Sequence, residues 1–142
     1  CKKLNIGSVK FISQWGNNSD VNTGLLYKAI TNIDDSALTA KVWTNIGNID
    51  IPEQGIWLVY VEINMPDTYT GNYTLQIRNS VSEVGRQSMY SDGTIQTRLS
   101  MCVPCKVDNK IVLNWFLENT GVTGAAYRYR LCKLPVSPNG VF

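Results

Sequence analysis

Ile56-Trp57-Leu58-Val59-Tyr60-Val61-Glu62-Ile63, approached through the turn Pro52-Glu53-Gln54-Gly55, decides how this chain folds. The run is strand-like and apolar on both faces. Period-two alternation puts Trp57, Val59, Val61 and Ile63 on one side and Ile56, Leu58 and Tyr60 on the other. A strand in a simple sandwich needs only one apolar face. Two such faces call for cover on both sides, and the expected second cover is another copy of the same chain. Ile111 to Leu117 repeats the pattern: Ile111, Leu113, Trp115 and Leu117 share one face, and Val112 and Phe116 share the other with Asn114.

The rest of the chain is also β-like. No window of ten or more residues shows the i, i+3, i+4, i+7 apolar spacing of a helix. Short β-branched and aromatic runs alternate with Gly, Asn, Asp and Pro instead. Leu4 to Ile12 reads as a strand or an arm, and Trp15 to Asp20 as a loop. Strands are expected at Leu25 to Ile30, Leu38 to Trp43 and Ile46 to Ile51, with a turn at Asn32 to Ser36. Tyr73, Leu75 and Ile77 alternate with polar residues, as do Ile95, Leu99 and Met101, so those strands have one wet face. Val84 to Tyr90 is a weaker strand. In the last strand, Ala125 to Leu134, Tyr127, Tyr129 and Leu131 face one way and Arg128, Arg130 and Cys132 the other. The fold class expected is all-β, a two-sheet jelly-roll sandwich of eight to ten strands. Residues 1–20 form an N-terminal arm or shaft exit in this reading, and residues 21–142 the domain.

Composition narrows the function. The 142 residues are 44% hydrophobic and 17% charged with a net charge of +2, which fits one globular domain. The basic residues form no groove interleaved with aromatics, so nucleic acid is not an expected partner. No apolar run approaches the length of a membrane span. No signal peptide is expected at the start, and the chain opens on Cys1 as a fragment or a mature product would. Histidine is absent. That removes the commonest general base and metal ligand, and with them any Ser-His-Asp or Cys-His site within one chain. Cys102-Val103-Pro104-Cys105 has no helical pattern after it, as a redox motif requires, and no second pair for zinc. Reduced thiols packed near a strand end as small hydrophobes are the expectation, although disulfides stay open.

A family resemblance enters on particular residues. Ile49 to Val59 resembles the lead-in to the central strand of C1q/TNF-like jelly rolls, in which a Gly-aromatic pair follows an apolar stretch. Lys106 to Leu113 is similar to a turn and strand that often read Gly-Asp-x-Ile/Val-x-Leu, with Asp108-Asn109 here in place of Gly-Asp. Tyr127 to Leu134 resembles the aromatic C-terminal strand of the family. The resemblance covers about residues 25 to 135. It implies a trimer. The chain is rich in Asn, Thr, Ser and Tyr and has no Gly-x-y tract, so it looks more like tip domains of bacteriophage fibres and virion appendages than like secreted relatives. A non-enzymatic attachment domain follows from the likeness. It would be assembled in the host cytoplasm, carried on the virion beside other virion proteins, and would bind a host-surface glycan or protein receptor. A purely structural decoration or trimerising cap, and an extracellular C1q-like binding domain, are the alternatives.

The site residues follow from this. Leu58, Tyr60, Phe116, Tyr127 and Tyr129 are expected to line the threefold contact. Tyr69, in Thr68-Tyr69-Thr70-Gly71, is the candidate for stacking on a sugar, against ordinary packing. Glu62 interrupts an apolar face; it faces Arg128 or Arg130, lies at the rim of the contact, or is exposed at the strand end. No spacing selects a catalytic carboxylate pair, and Asp34, Asp35 and Glu53 read as turn residues. Neither a cofactor nor a metal ion is expected.

Overall fold

A computed structural model describes residues 19–20, 25–33, 39–120 and 122–135. Among the described residues, nine strands lie in two antiparallel sheets. Five form one sheet: β1 (Ser19–Asp20), β2 (Leu25–Asn32), β4 (Gly55–Met65), β7 (Thr97–Val107) and β9 (Ala126–Lys133), ordered β1-β2-β9-β4-β7. The other four, β3 (Thr44–Asp50), β5 (Thr70–Arg78), β6 (Glu83–Asp92) and β8 (Lys110–Leu117), are ordered β3-β8-β5-β6. The stretch at Leu4 to Ile12, residues 15–18, Cys1, and Asp34 and Asp35 fall outside the described residues.

Cross-strand partners share a face, so the register fixes what each sheet turns inward. Trp57, Val59, Val61 and Ile63 of β4 are at most 1% exposed and point between the sheets. Leu99 and Met101 of β7 and Leu131 of β9 join them, paired with Ile63, Val61 and Val59. Ile111, Leu113, Trp115 and Leu117 face them from β8, with Tyr73, Leu75 and Ile77 of β5. Each large apolar side chain buried this way contributes roughly 1.5–3 kcal/mol, so the core rests on the alternation visible in the sequence.

Three local expectations need correction. Residues 39–43 are a turn rather than a strand: Lys41 has φ 61° and its amide bonds the Leu117 carbonyl at 2.7 Å. Ser19 and Asp20 pair with Leu26 and Leu25, so the end of the expected loop is a short strand. Ile95 precedes β7 and is 65% exposed.

Candidate functional site

The outer face of the five-stranded sheet begins with β4. Ile56, Leu58 and Tyr60 are half-buried there, beside Lys106, Pro104 and Cys102 of β7. Pro104 fits because β7 is an edge strand, where a missing amide proton breaks no ladder. Further along, Glu62 pairs across to Ser100 and Arg128. Its side chain is only 5% exposed. Oε2 accepts from Arg128 Nη2 at 2.8 Å and Nε at 2.9 Å, and Arg98 Nε lies 3.7 Å from Oε1. The Tyr60 hydroxyl donates to Oε2 at 3.4 Å. Facing Arg128 is therefore right for Glu62, and exposure at the strand end is wrong. A carboxylate can stay this dry because two guanidiniums and a phenol satisfy it.

The five residues expected at one subunit contact lie on three surfaces. Leu58 and Tyr60 share the outer face just described. Phe116 sits on the outer face of the other sheet, opposite Thr74. Tyr127 and Tyr129 pair with Ile63 and Val61, which turns both inward. Tyr127 is 7% exposed and reaches across the sandwich: a Cβ on Gly47 of β3 would stand 2.6 Å from its hydroxyl oxygen. Grouping Phe116, Tyr127 and Tyr129 with Leu58 and Tyr60 is corrected accordingly. Alternation shows which residues share a face but not which face points in.

Tyr69 is corrected too. It is 1% exposed, donates to the Asn72 carbonyl at 2.8 Å and accepts the Asn119 amide at 3.2 Å. Burial raises its pKa above the ordinary 10.0, with the bonded amides of Asn119 and Glu118 working against the rise. It braces a loop and cannot stack on a ligand.

The thiols of Cys102, Cys105 and Cys132 are free. Cys105 lies two residues from the end of β7, as expected, whereas Cys102 is in its middle, and an offset of three puts them on opposite faces. Cys102 is exposed and Cys105 buried, so they cannot converge on one metal ion or close one bridge. Burial pushes the Cys105 thiol up to about 11.

One cluster has no counterpart in the local sequence pattern. On the outer face of the four-stranded sheet, Trp43 leans on Phe116 with ring centroids 5.4 Å apart and planes at 56°. The Arg86 guanidinium lies 4.8 Å from the Trp43 ring centroid. Trp43 keeps 38% of its surface exposed. These residues meet only through the pairing of β3, β8, β5 and β6.

No protein-family model and no curated protein matches the sequence. Solved structures do match. PRD1 vertex protein P5 superposes with a TM-score of 0.61 at 12% identity, covering 79% of this chain and 97% of that one. The globular domain of zebrafish complement 1qA protein superposes at 0.50 with 4% identity, covering 78% and 94%. The fold is a C1q/TNF-like jelly roll. Eiger TNF from S. frugiperda superposes more loosely, with a TM-score of 0.46 at 15% identity over 81% of this chain and 88% of that one, and adds nothing to the assignment. Among the described residues, no helix is long and apolar enough to cross a membrane.

Proposed function

We propose that this C1q/TNF-like domain is a non-enzymatic, homotrimerising part of a virion fibre or appendage that presents its outward surfaces to a glycan on the host. The observation that carries the reading is the outer face of the five-stranded sheet. Ile56, Leu58 and Tyr60 lie there beside Pro104 and Cys102, only half-buried within one chain, so part of their apolar surface is left for a partner to cover. Five strands about 4.8 Å apart and about eight residues long give a face of roughly 600 Å² in projection. That is the order of the ~800 Å² that each partner contributes to a standard interface. A second copy of the chain supplies matching apolar area, and the Glu62 cluster at one end of the stripe sets its orientation.

The likeness to a vertex protein supports a place on the virion beside other virion proteins. Trimerisation then has a use, because three weak sites on one tip bind a repetitive surface with avidity. A structural cap without adhesion is favoured by one observation, the burial of Tyr69, which removes the aromatic loop. Two measurements separate these readings. Light scattering of the parent domain and a Leu58→Glu variant is expected to give a trimer and a monomer. The labelled trimer is expected to bind host cells; a trimer that binds no cell surface is the cap.

A further inference from the structure

If the five-stranded sheet is the subunit contact, the outer face of the four-stranded sheet points to solvent. A row of side-chain hydrogen bonds crosses its strands. Asn45 Nδ2 donates to Asn114 Oδ1 at 3.3 Å, and Asn114 Nδ2 to Gln76 Oε1 at 3.0 Å. Gln76 Nε2 and Arg86 Nε both donate to Glu83 Oε1 at 2.8 Å. Along one side of this row stands the Trp43–Phe116 pair, with the Arg86 guanidinium over the indole.

The arrangement differs from an ordinary wet sheet face in three ways. The amides are held by one another, so a ligand would meet donors and acceptors whose ordering cost is already met by the fold. Arg86 is fixed through Nε, which leaves its terminal nitrogens for another acceptor. Its hydrogen bonds to Gln76 and Arg86 hold the Glu83 carboxyl below its ordinary value, so that clamp persists into mildly acidic solution. Charge also selects. Arg78 and Arg86 both act on the Glu83 carboxylate, so this group of three carries one positive charge in excess, and of the two arginines it is Arg86 that lies against the exposed Trp43. One excess charge is far too few for a nucleic-acid backbone.

We propose that this face, centred on Trp43, Arg86 and the Asn45–Asn114 amides, binds a carboxylate-bearing saccharide. The guanidinium takes the carboxylate in a two-pronged bond. The C–H face of the sugar ring lies against the exposed edge of the Trp43–Phe116 pair. Exposed Asn45 and half-buried Asn114 take its hydroxyls, while Gln76, 6% exposed, braces Asn114 from below. This site deepens the attachment reading and rests on it.

Saturation-transfer NMR tests the site, using sialyllactose and trigalacturonate as acidic probes and lactose and maltotriose as neutral ones. The acidic probes are expected to receive saturation and the neutral ones much less. Arg86→Gln, at a half-exposed position, is expected to weaken acidic binding about ten- to a hundredfold while leaving the thermal midpoint in place. Trp43→Ala is expected to weaken binding of the whole panel. Acidic probes that bind no better than neutral ones, or acidic binding that survives Arg86→Gln, would overturn the proposal. Binding of the labelled domain to a panel of bacterial surfaces separates the two levels. Equal binding by parent and Arg86→Gln sinks this site and leaves attachment standing, whereas a parent that binds no surface sinks both.

Discussion

Gly47→Ala tests the inward orientation of Tyr127. Gly47 lies in β3 opposite Leu113, where a side chain on β3 points into the sandwich. An added Cβ would stand 2.6 Å from the Tyr127 hydroxyl oxygen and 3.0 Å from Cζ. The ring must retreat by about 0.8 Å to restore an ordinary contact. A tyrosine that is 7% exposed and backed by core side chains has little room to do so. Overpacking of this kind costs about 1–3 kcal/mol. Replacing glycine inside a strand returns about 0.5–1 kcal/mol of backbone entropy. The variant is therefore expected to be less stable by about 1–2 kcal/mol. Tyr127→Phe removes the nearest atom, so Gly47→Ala should cost less in that background, with a coupling of about 1 kcal/mol. Urea unfolding of the four proteins at one fixed concentration, followed by tryptophan fluorescence, measures the cycle. If Tyr127 instead pointed to a subunit contact, Gly47→Ala would be neutral or stabilising with no coupling, and that result would refute the reasoning.

Other consequences can be checked on the same material. Glu62→Ala removes the carboxylate that Arg128 Nη2 and Nε both reach, and is expected to cost about 2 kcal/mol, discounted from the fully buried case because Arg128 keeps 29% exposure. Arg98→Ala, at a side chain 65% exposed and 3.7 Å from the carboxylate, should stay within about 0.5 kcal/mol; equal costs in urea unfolding would contradict that geometry. Tyr69→Phe leaves the Asn119 amide without its acceptor and should lower stability by about 1–2 kcal/mol with saccharide binding unchanged. Loss of binding without loss of stability would return Tyr69 to the ligand. Cys105 ionises more readily unfolded than folded, because burial raises its thiol from 9.0 to about 11. Its contribution is intact below the unfolded value and is lost as pH climbs toward the folded one. Cys105→Ala should flatten the decline in unfolding midpoint between about pH 9 and 11, and an unchanged slope would count against the burial account.

Much of the fold was legible because alternation is a local signal. β4, β5, β8 and β9 could be placed and their faces sorted from Trp57/Val59/Val61/Ile63, Tyr73/Leu75/Ile77, Ile111/Leu113/Trp115/Leu117 and Tyr127/Tyr129/Leu131 alone. What could not be read depends on partners distant in sequence. Val42 and Trp43 carry strand-like side chains, but the positive φ of Lys41 and the turn around it keep them out of a strand. The sequence around Tyr69 looks like an exposed loop until its hydroxyl is seen to tie Asn72 to Asn119. Glu62 stays dry because Arg128 and Arg98, on the two neighbouring strands, and Tyr60 reach it. The Trp43–Phe116–Arg86 cluster has no local pattern at all, because the four strands β3, β8, β5 and β6 must pair before it exists.

In the proposed assembly, the outer face of the five-stranded sheet is covered by further copies of the chain. Light scattering on a sizing column at low protein concentration tests it most directly. The account predicts a native mass three times that of the chain, falling to one chain mass on Leu58→Glu. A parent protein that elutes as a monomer would contradict it, and would leave Ile56, Leu58 and Tyr60 as an apolar stripe with no subunit to bury it.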